Sequence, residues 1–222
     1  DKSQKQICIG NLSMVKAEAI EFADGSVPYY AAGTYPSVKI TRNLTEDRWA
    51  TAVYPFAVSG IDDIATFEAY DEATATVKIR KATASTANEP FLMRSKTSMA
   101  EIVLENVDVV AEAGTPVKTQ GNASFVGTYN ETEVAKENGF SKYALSNNTF
   151  YIIGANAATV APYRAYFKVA ANETSEARSL NFEFDDNTPT GIESIDVETT
   201  SNGDFYNLNG QKVATPMKGL YI

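Results

Sequence analysis

Histidine is absent from the 222-residue chain and cysteine occurs once, so any chemistry must rest on oxygen-bearing and cationic side chains. Without imidazole, Ser-His-Asp and Cys-His nucleophile systems are excluded, as are most zinc sites. Carboxylate catalysis, a Ser-Lys or tyrosine-based mechanism and oxygen-ligated calcium stay open. The lone Cys8 sits in the apolar run Gln6-Ile7-Cys8-Ile9. It has no partner for an intrachain disulfide and reads as a small core residue rather than a reactive thiol.

Acidic residues stand together at Asp62-Asp63 and at Asp185-Asp186-Asn187. The second group offers calcium several oxygens, although its spacing matches no ordered loop of the EF-hand kind. Solvated turn carboxylates are the plainer reading, and no other cofactor is expected. A glycosidase would need two carboxylates facing each other across a cleft, and the spacing singles out no such pair. Aromatic residues make the stronger pattern. Tyr29, Tyr30 and Tyr35 cluster in a Gly/Pro-rich loop, while Tyr163, Tyr166 and Phe167 flank Arg164. In PYRAYFKV, alternation sends Tyr163, Ala165 and Phe167 to one side and Arg164, Tyr166 and Lys168 to the other. Facing solvent, the second set is a cationic and aromatic patch suited to a glycan or a partner protein. Facing inward, such rings are core.

Strands must position these groups. The central stretch is Asp47 to Gly60, DRWATAVYPFAVSG. One face presents Trp49, Thr51, Val53 and Pro55, the other Ala50, Ala52, Tyr54, Phe56 and Val58, so burial on both faces of a layered structure is expected. Trp49 reads as core, and Pro55, which cannot donate to a ladder, marks a bulge or an edge. Further strand signals recur at Met14 to Phe22, Ser37 to Thr41, Thr66 to Tyr70, Thr76 to Lys81, Phe91 to Arg94 and Glu101 to Val110. They continue at Ala123 to Tyr129, Thr149 to Ile153, Arg164 to Val169 and Leu180 to Phe184. About ten strands at this spacing predict an all-β, antiparallel β-sandwich, jelly-roll-like in pattern. Asn43 to Asp47 reads as a hairpin turn into the Trp49 strand. Single helical turns are expected at Asp62 to Ala65 and at Thr132 to Asn138, with Thr132 as N-cap and Gly139 as the closing glycine.

Composition bounds the partners. The net charge of −9 and the absence of a Lys/Arg cluster argue against nucleic acid. No apolar run approaches the roughly 20 residues that span a bilayer. Asp1 reads as the start of a mature or trimmed form. The composition changes at Asn187, which divides a module over 1–186 from a linker and tail over 187–222. In that tail Asp204 to Leu208 and Gln211 to Ala214 flank Asn209-Gly210, a strong hairpin signal.

The tail, with Gly191-Ile192-Glu193-Ser194-Ile195 and FYNLNGQKVATPMKGLYI from Phe205 to Ile222, resembles the C-terminal sorting-type tails of secreted Bacteroidetes proteins. It departs from their pattern by stopping before a basic, valine-rich end. The body resembles modules that precede such tails in Bacteroides and Prevotella surface proteins. The matching pieces are RWATAVYPFAVS, NEPFLMRS, FVGTYN, NNTFYIIG and PYRAYFKV, in that order. This resemblance implies a secreted or cell-surface β-sandwich module and carries over no catalytic residue. The reading that follows is a non-catalytic module for adhesion or ligand binding, or a structural spacer, with a glycan or a host or matrix protein as partner. The alternative is a carbohydrate-binding module, or a fragment of a carbohydrate-active enzyme working with carboxylates alone.

Overall fold

The computed structural model describes residues 19–170 and 179–184, with two short strands at 205–206 and 212–213. Cys8, the Asp185-Asp186-Asn187 group, the expected strand start at Met14 and the Asn209-Gly210 turn lie outside the described residues. The chain divides into two compact units, Asp1–Thr188 and Pro189–Ile222. Among the described residues there is no helix, and hence none long and apolar enough to cross a membrane.

In chain order the larger unit begins with β1 (Ala19–Ala23), β2 (Gly33–Leu44), β3 (Ala50–Ala52), β4 (Ser59–Asp71) and β5 (Thr76–Ala84). It continues with β6 (Phe91–Arg94), β7 (Met99–Val109), β8 (Val117–Gln120), β9 (Ala123–Thr128) and β10 (Thr132–Val134). Last come β11 (Phe140–Ser146), β12 (Thr149–Ile152), β13 (Ala158–Val160), β14 (Arg164–Ala170) and β15 (Ser179–Phe184). β2 lies between β1 and β7 in a three-stranded sheet, and ten strands form the other in the order β3-β6-β4-β5-β15-β12-β11-β14-β9-β8. β10 and β13 pair as a separate ribbon. Pairing is antiparallel apart from β1 with β2 and β5 with β15, which are parallel.

The large sheet curls until its first strand meets its eighth. The Ala165 amide donates to Thr51 Oγ1 at 3.0 Å, and the Val53 amide donates to the Tyr163 carbonyl at 3.3 Å. Gly127 sits at this closure. A Cβ there would lie 2.8 Å from Val53 Cγ1 and 2.9 Å from Pro116 Cγ, so the chain segments approach more closely than any side chain allows.

The curl encloses one core. Phe67, Phe125, Phe150 and Phe167 are fully buried in it, with Phe167 stacked on Phe125 at 4.3 Å between centroids and edge-on to Phe67 and Phe150. A second core lies between the three-stranded sheet and the outer face of β3, β6 and β4. Phe22, Val38, Ile40 and Val109 meet Tyr54, Phe56, Phe91 and Met93 there. The layer between the cores is buried on both faces over residues 51–56 and 91–93. That is why its sequence runs apolar without alternation. Strand pairing stops at Ala52, and Pro55 lies in a bend where its carbonyl accepts from the Val110 amide at 2.8 Å.

Three local expectations change. Asp62 to Ala65 belongs to strand β4 rather than to a helical turn, with an irregular register between Ser59 and Ile64. Bonds from Arg94, the Ser95 hydroxyl and the Lys96 amide hold it extended. Thr132 to Val134 is strand β10, and the Thr132 hydroxyl donates to the Asn130 carbonyl instead of capping a helix. Gly139 does take a positive φ of 78°, but in a turn closed by the Phe140 amide on the Glu137 carbonyl. Finally, Asn43 to Asp47 makes no hairpin: β2 pairs with β1 and β7, whereas β3 pairs with β6, so the turn carries the chain from one sheet to the other.

In the smaller unit Phe205 pairs with Val213 and Tyr206 with Lys212, antiparallel, as the hairpin signal predicts.

Candidate functional site

The closure that joins β3 to β14 leaves a cleft of about 330 Å³ on its outer side. Trp49, Ala50 and Thr51 line it from the β3 segment, Arg164 and Ala165 from β14, and Thr159 to Ala161 from β13. Arg42 reaches it from β2. Its position follows from period-two alternation: Val38, Ile40, Arg42 and Leu44 all point to the buried side of β2, so an arginine stands where the pattern calls for an apolar residue. The register of β2 against β7 shifts between Thr41 and Leu44, a bulge of the kind that re-aims side chains.

Two asparagines fix the Trp49 segment. Asn147 and Asn148 form the two-residue turn between β11 and β12, both at positive φ (47° and 63°), as a tight type I′ hairpin requires. Asn148 Oδ1 accepts from the Trp49 amide at 2.7 Å, and its Nδ2 donates to the Asp47 carbonyl at 3.1 Å. Asn147 Oδ1 accepts from Arg48. Trp49 itself is half-buried, packed in part on the inner core, with the Arg94 guanidinium 4.7 Å from its ring centroid.

Arg42 is 7% exposed and donates through Nη1 to the Thr51 carbonyl at 2.8 Å. Desolvation lowers its pKa, opposed by the neighbouring Tyr54 hydroxyl and the Asp24 carboxylate. Arginine nevertheless stays protonated at any ordinary pH. Arg164 pairs with Asp24 across the cleft margin. No carboxylate is among the lining residues.

The expected site residues distribute as follows. Arg164, Tyr166 and Lys168 do share the outer face of β14, opposite the buried Ala165 and Phe167. They are half-buried rather than open: Arg164 holds Asp24, Tyr166 packs against the ribbon of β10 and β13, and Lys168 pairs with Glu137. Of the loop tyrosines, Tyr29 is 78% exposed, whereas Tyr35 is buried at 4% with its hydroxyl donating to the Ala31 carbonyl at 2.8 Å. Tyr30 packs against Phe22, its hydroxyl buried close to the Glu112 carboxylate. The three therefore form no common exposed surface. Trp49 and Arg164 come together in the cleft; Tyr29, Tyr30 and Tyr35 do not join them.

Asp62 and Asp63 do structural work. Asp63 Oδ2 accepts from Arg94 Nε and Nη2 at 2.9 and 2.7 Å, and Asp62 Oδ2 accepts from the Lys96 amide at 2.8 Å. No group of three or more potential metal ligands occurs among the described residues.

Arg42 is the residue that sequence reasoning missed. Its signal was present, in phase with Val38 and Ile40 one step beyond the expected strand end at Thr41. No protein-family model, curated protein or solved structure matches the chain.

Proposed function

We propose that the chain is a non-catalytic, secreted or cell-surface binding module of a bacterial surface protein, which holds a glycan or a matrix component in the cleft bounded by Arg42, Trp49 and Arg164. The observation that carries this reading is the cleft wall: an indole and two guanidinium groups converge there from two distant parts of the chain, residues 42–49 and residue 164. Such a wall offers ring contact and directed donors, which a purely spacing role does not need. The surface location rests on the resemblance of the tail and body segments to secreted Bacteroidetes proteins.

A carboxylate-only glycosidase finds less support. It needs a general acid with a raised pKa in a concave site. Among the described residues the cleft lining contains no acid, and the two carboxylates with displaced pKa, Asp62 and Glu137, are both displaced downward by their hydrogen-bond partners. The test is a glycan-array and matrix-protein screen of the whole chain beside Trp49→Ala. Saturable binding that falls at least tenfold in Trp49→Ala, measured at a temperature where the variant stays folded, is the expected result. A blank across both screens would leave the spacer role as the better account.

A further inference from the structure

Arginine is unevenly placed in this molecule. The chain has six: Arg42, Arg48, Arg80, Arg94, Arg164 and Arg178. Two of them, Arg42 and Arg164, line the cleft. Two more adjoin it through Trp49, Arg48 as its neighbour in sequence and Arg94 over its ring. On a chain of net charge −9 this is a local concentration of positive charge. Its internal compensation is incomplete. Arg94 is held by Asp63, but Arg48 is held by an amide oxygen, and Arg42 and Arg164 have one carboxylate, Asp24, between them.

Arg42 is the telling member. Buried charges are normally paired, because leaving water costs several kcal/mol per ion unless an opposite charge answers it. The cation of Arg42 is buried, its partners are the neutral Thr51 carbonyl and Tyr54 hydroxyl, and Asp24 is bonded to Arg164. A site with that arrangement has unused capacity for an anion, and its low dielectric strengthens the attraction.

We infer, on the footing of the binding role above, that the cleft takes an acidic saccharide: a sugar ring bearing a carboxylate or sulfate, with its oxyanion at Arg42 and Arg164 and its ring against Trp49. Guanidinium forks match such oxyanions in geometry as well as charge. The indole supplies an apolar surface for the ring, and the exposed Thr159 offers a hydroxyl to those of the sugar. The volume of about 330 Å³ suits one or two sugar units, at the small end of ligand sites. Asp24 is then an internal competitor that occupies Arg164 when no ligand is bound.

The experiment is calorimetry of the whole chain with uronate-bearing, sulfated and neutral oligosaccharides, at low and high salt, beside Asp24→Asn and Arg164→Gln. Acidic ligands are expected to bind and neutral ones to bind at least tenfold more weakly. Affinity should fall with salt, fall about tenfold in Arg164→Gln and rise several-fold in Asp24→Asn. Reduction of the carboxyl groups separates the two oxyanions: it abolishes uronate binding and leaves sulfate binding intact. Neutral ligands bound as tightly as acidic ones, through a Trp49-dependent site, would overturn the inference while sparing the binding role. Absence of all binding would remove both. If Arg164→Gln fails to fold, salt-independent affinity of the unaltered chain for acidic ligands is the overturning result.

Discussion

Inside the curled sheet the central rings are the phenylalanines Phe67, Phe125, Phe150 and Phe167, whereas between the two sheets tyrosines stand beside Phe22, Phe56 and Phe91. The hydroxyls of the second group reach outward. Tyr35 donates to the Ala31 carbonyl, Tyr163 to Glu112 Oε1 at 3.1 Å, and Tyr129 to Asn88. Asn88, at a positive φ of 60°, also takes the Tyr54 carbonyl through its amide and the Ala111 carbonyl through Nδ2. The first core is thus centred on phenylalanine and closes the sheet on itself. The second is edged with hydroxyls that tie three loops to the scaffold. The cleft opens where the two meet, with Trp49 packed on the first core and Arg42 on a strand of the second.

If the phenylalanine core holds the curl, its loss should be the most damaging single change. Phe167 touches three other rings at 4.3 to 5.1 Å and is fully buried. Phe167→Ala should cost about 3–5 kcal/mol of unfolding free energy, from lost transfer energy and the cavity left behind. Urea unfolding measures it. A cost near 1 kcal/mol would mean that the sheet closes without this cluster, and the contrast between the cores would fail.

The hydroxyl-edged core should instead show itself at alkaline pH. Burial pushes the Tyr129 phenol up to about 12 and raises those of Tyr30 and Tyr163 as well. A group whose pKa is raised by folding contributes stability that is full below the unfolded value, about 10 for tyrosine, and is lost as pH rises through the folded value. Stability should therefore decline between about pH 10 and 12. Tyr129→Phe should lower stability at neutral pH by about 1 kcal/mol, through the lost bond to Asn88, and yet make that alkaline decline shallower. Phenolate absorbance followed with unfolding checks both. Identical alkaline limbs in the two proteins would contradict the assignment.

The same contrast separates what the sequence displays from what it conceals. Alternation in PYRAYFKV places Ala165 and Phe167 inward, as found, but not Tyr163, which at a φ of 56° turns to the second core; the unbroken apolar stretch through Phe56 announces a layer buried twice over. Strand β11 is hidden because its inward face opens on the polar Ser141, which leaves only Tyr143 and Leu145 to mark the alternation. Asp62-Asp63 looks like the start of a helical turn, since only the distant Arg94 and Lys96 reveal why both acids prefer an extended chain. The cleft is the least legible feature. Arg42 and Trp49 are far in sequence from Thr159 and Arg164, and the closure that gathers them hangs on two hydrogen bonds between segments that no local pattern pairs.

The acidic pair supplies the gentlest test, at the opposite end of the pH scale. The Lys96 amide, helped by the Ser95 hydroxyl and the charges of Lys96 and Arg94, holds the Asp62 carboxyl below the usual carboxylate range. A depressed pKa contributes stability that is present above the unfolded value, about 4, and is lost as pH falls through the folded one. Asp62→Asn should lower the melting temperature slightly at neutral pH and flatten its fall below about pH 4. The alkaline limb should not move, because Asp62 lies outside the tyrosine cluster. Melting curves taken from pH 2 to 12 test both halves. A shift of both limbs together would show that the 62–63 clamp and the tyrosine cluster respond as one unit, and that the separation drawn between the regions is too sharp.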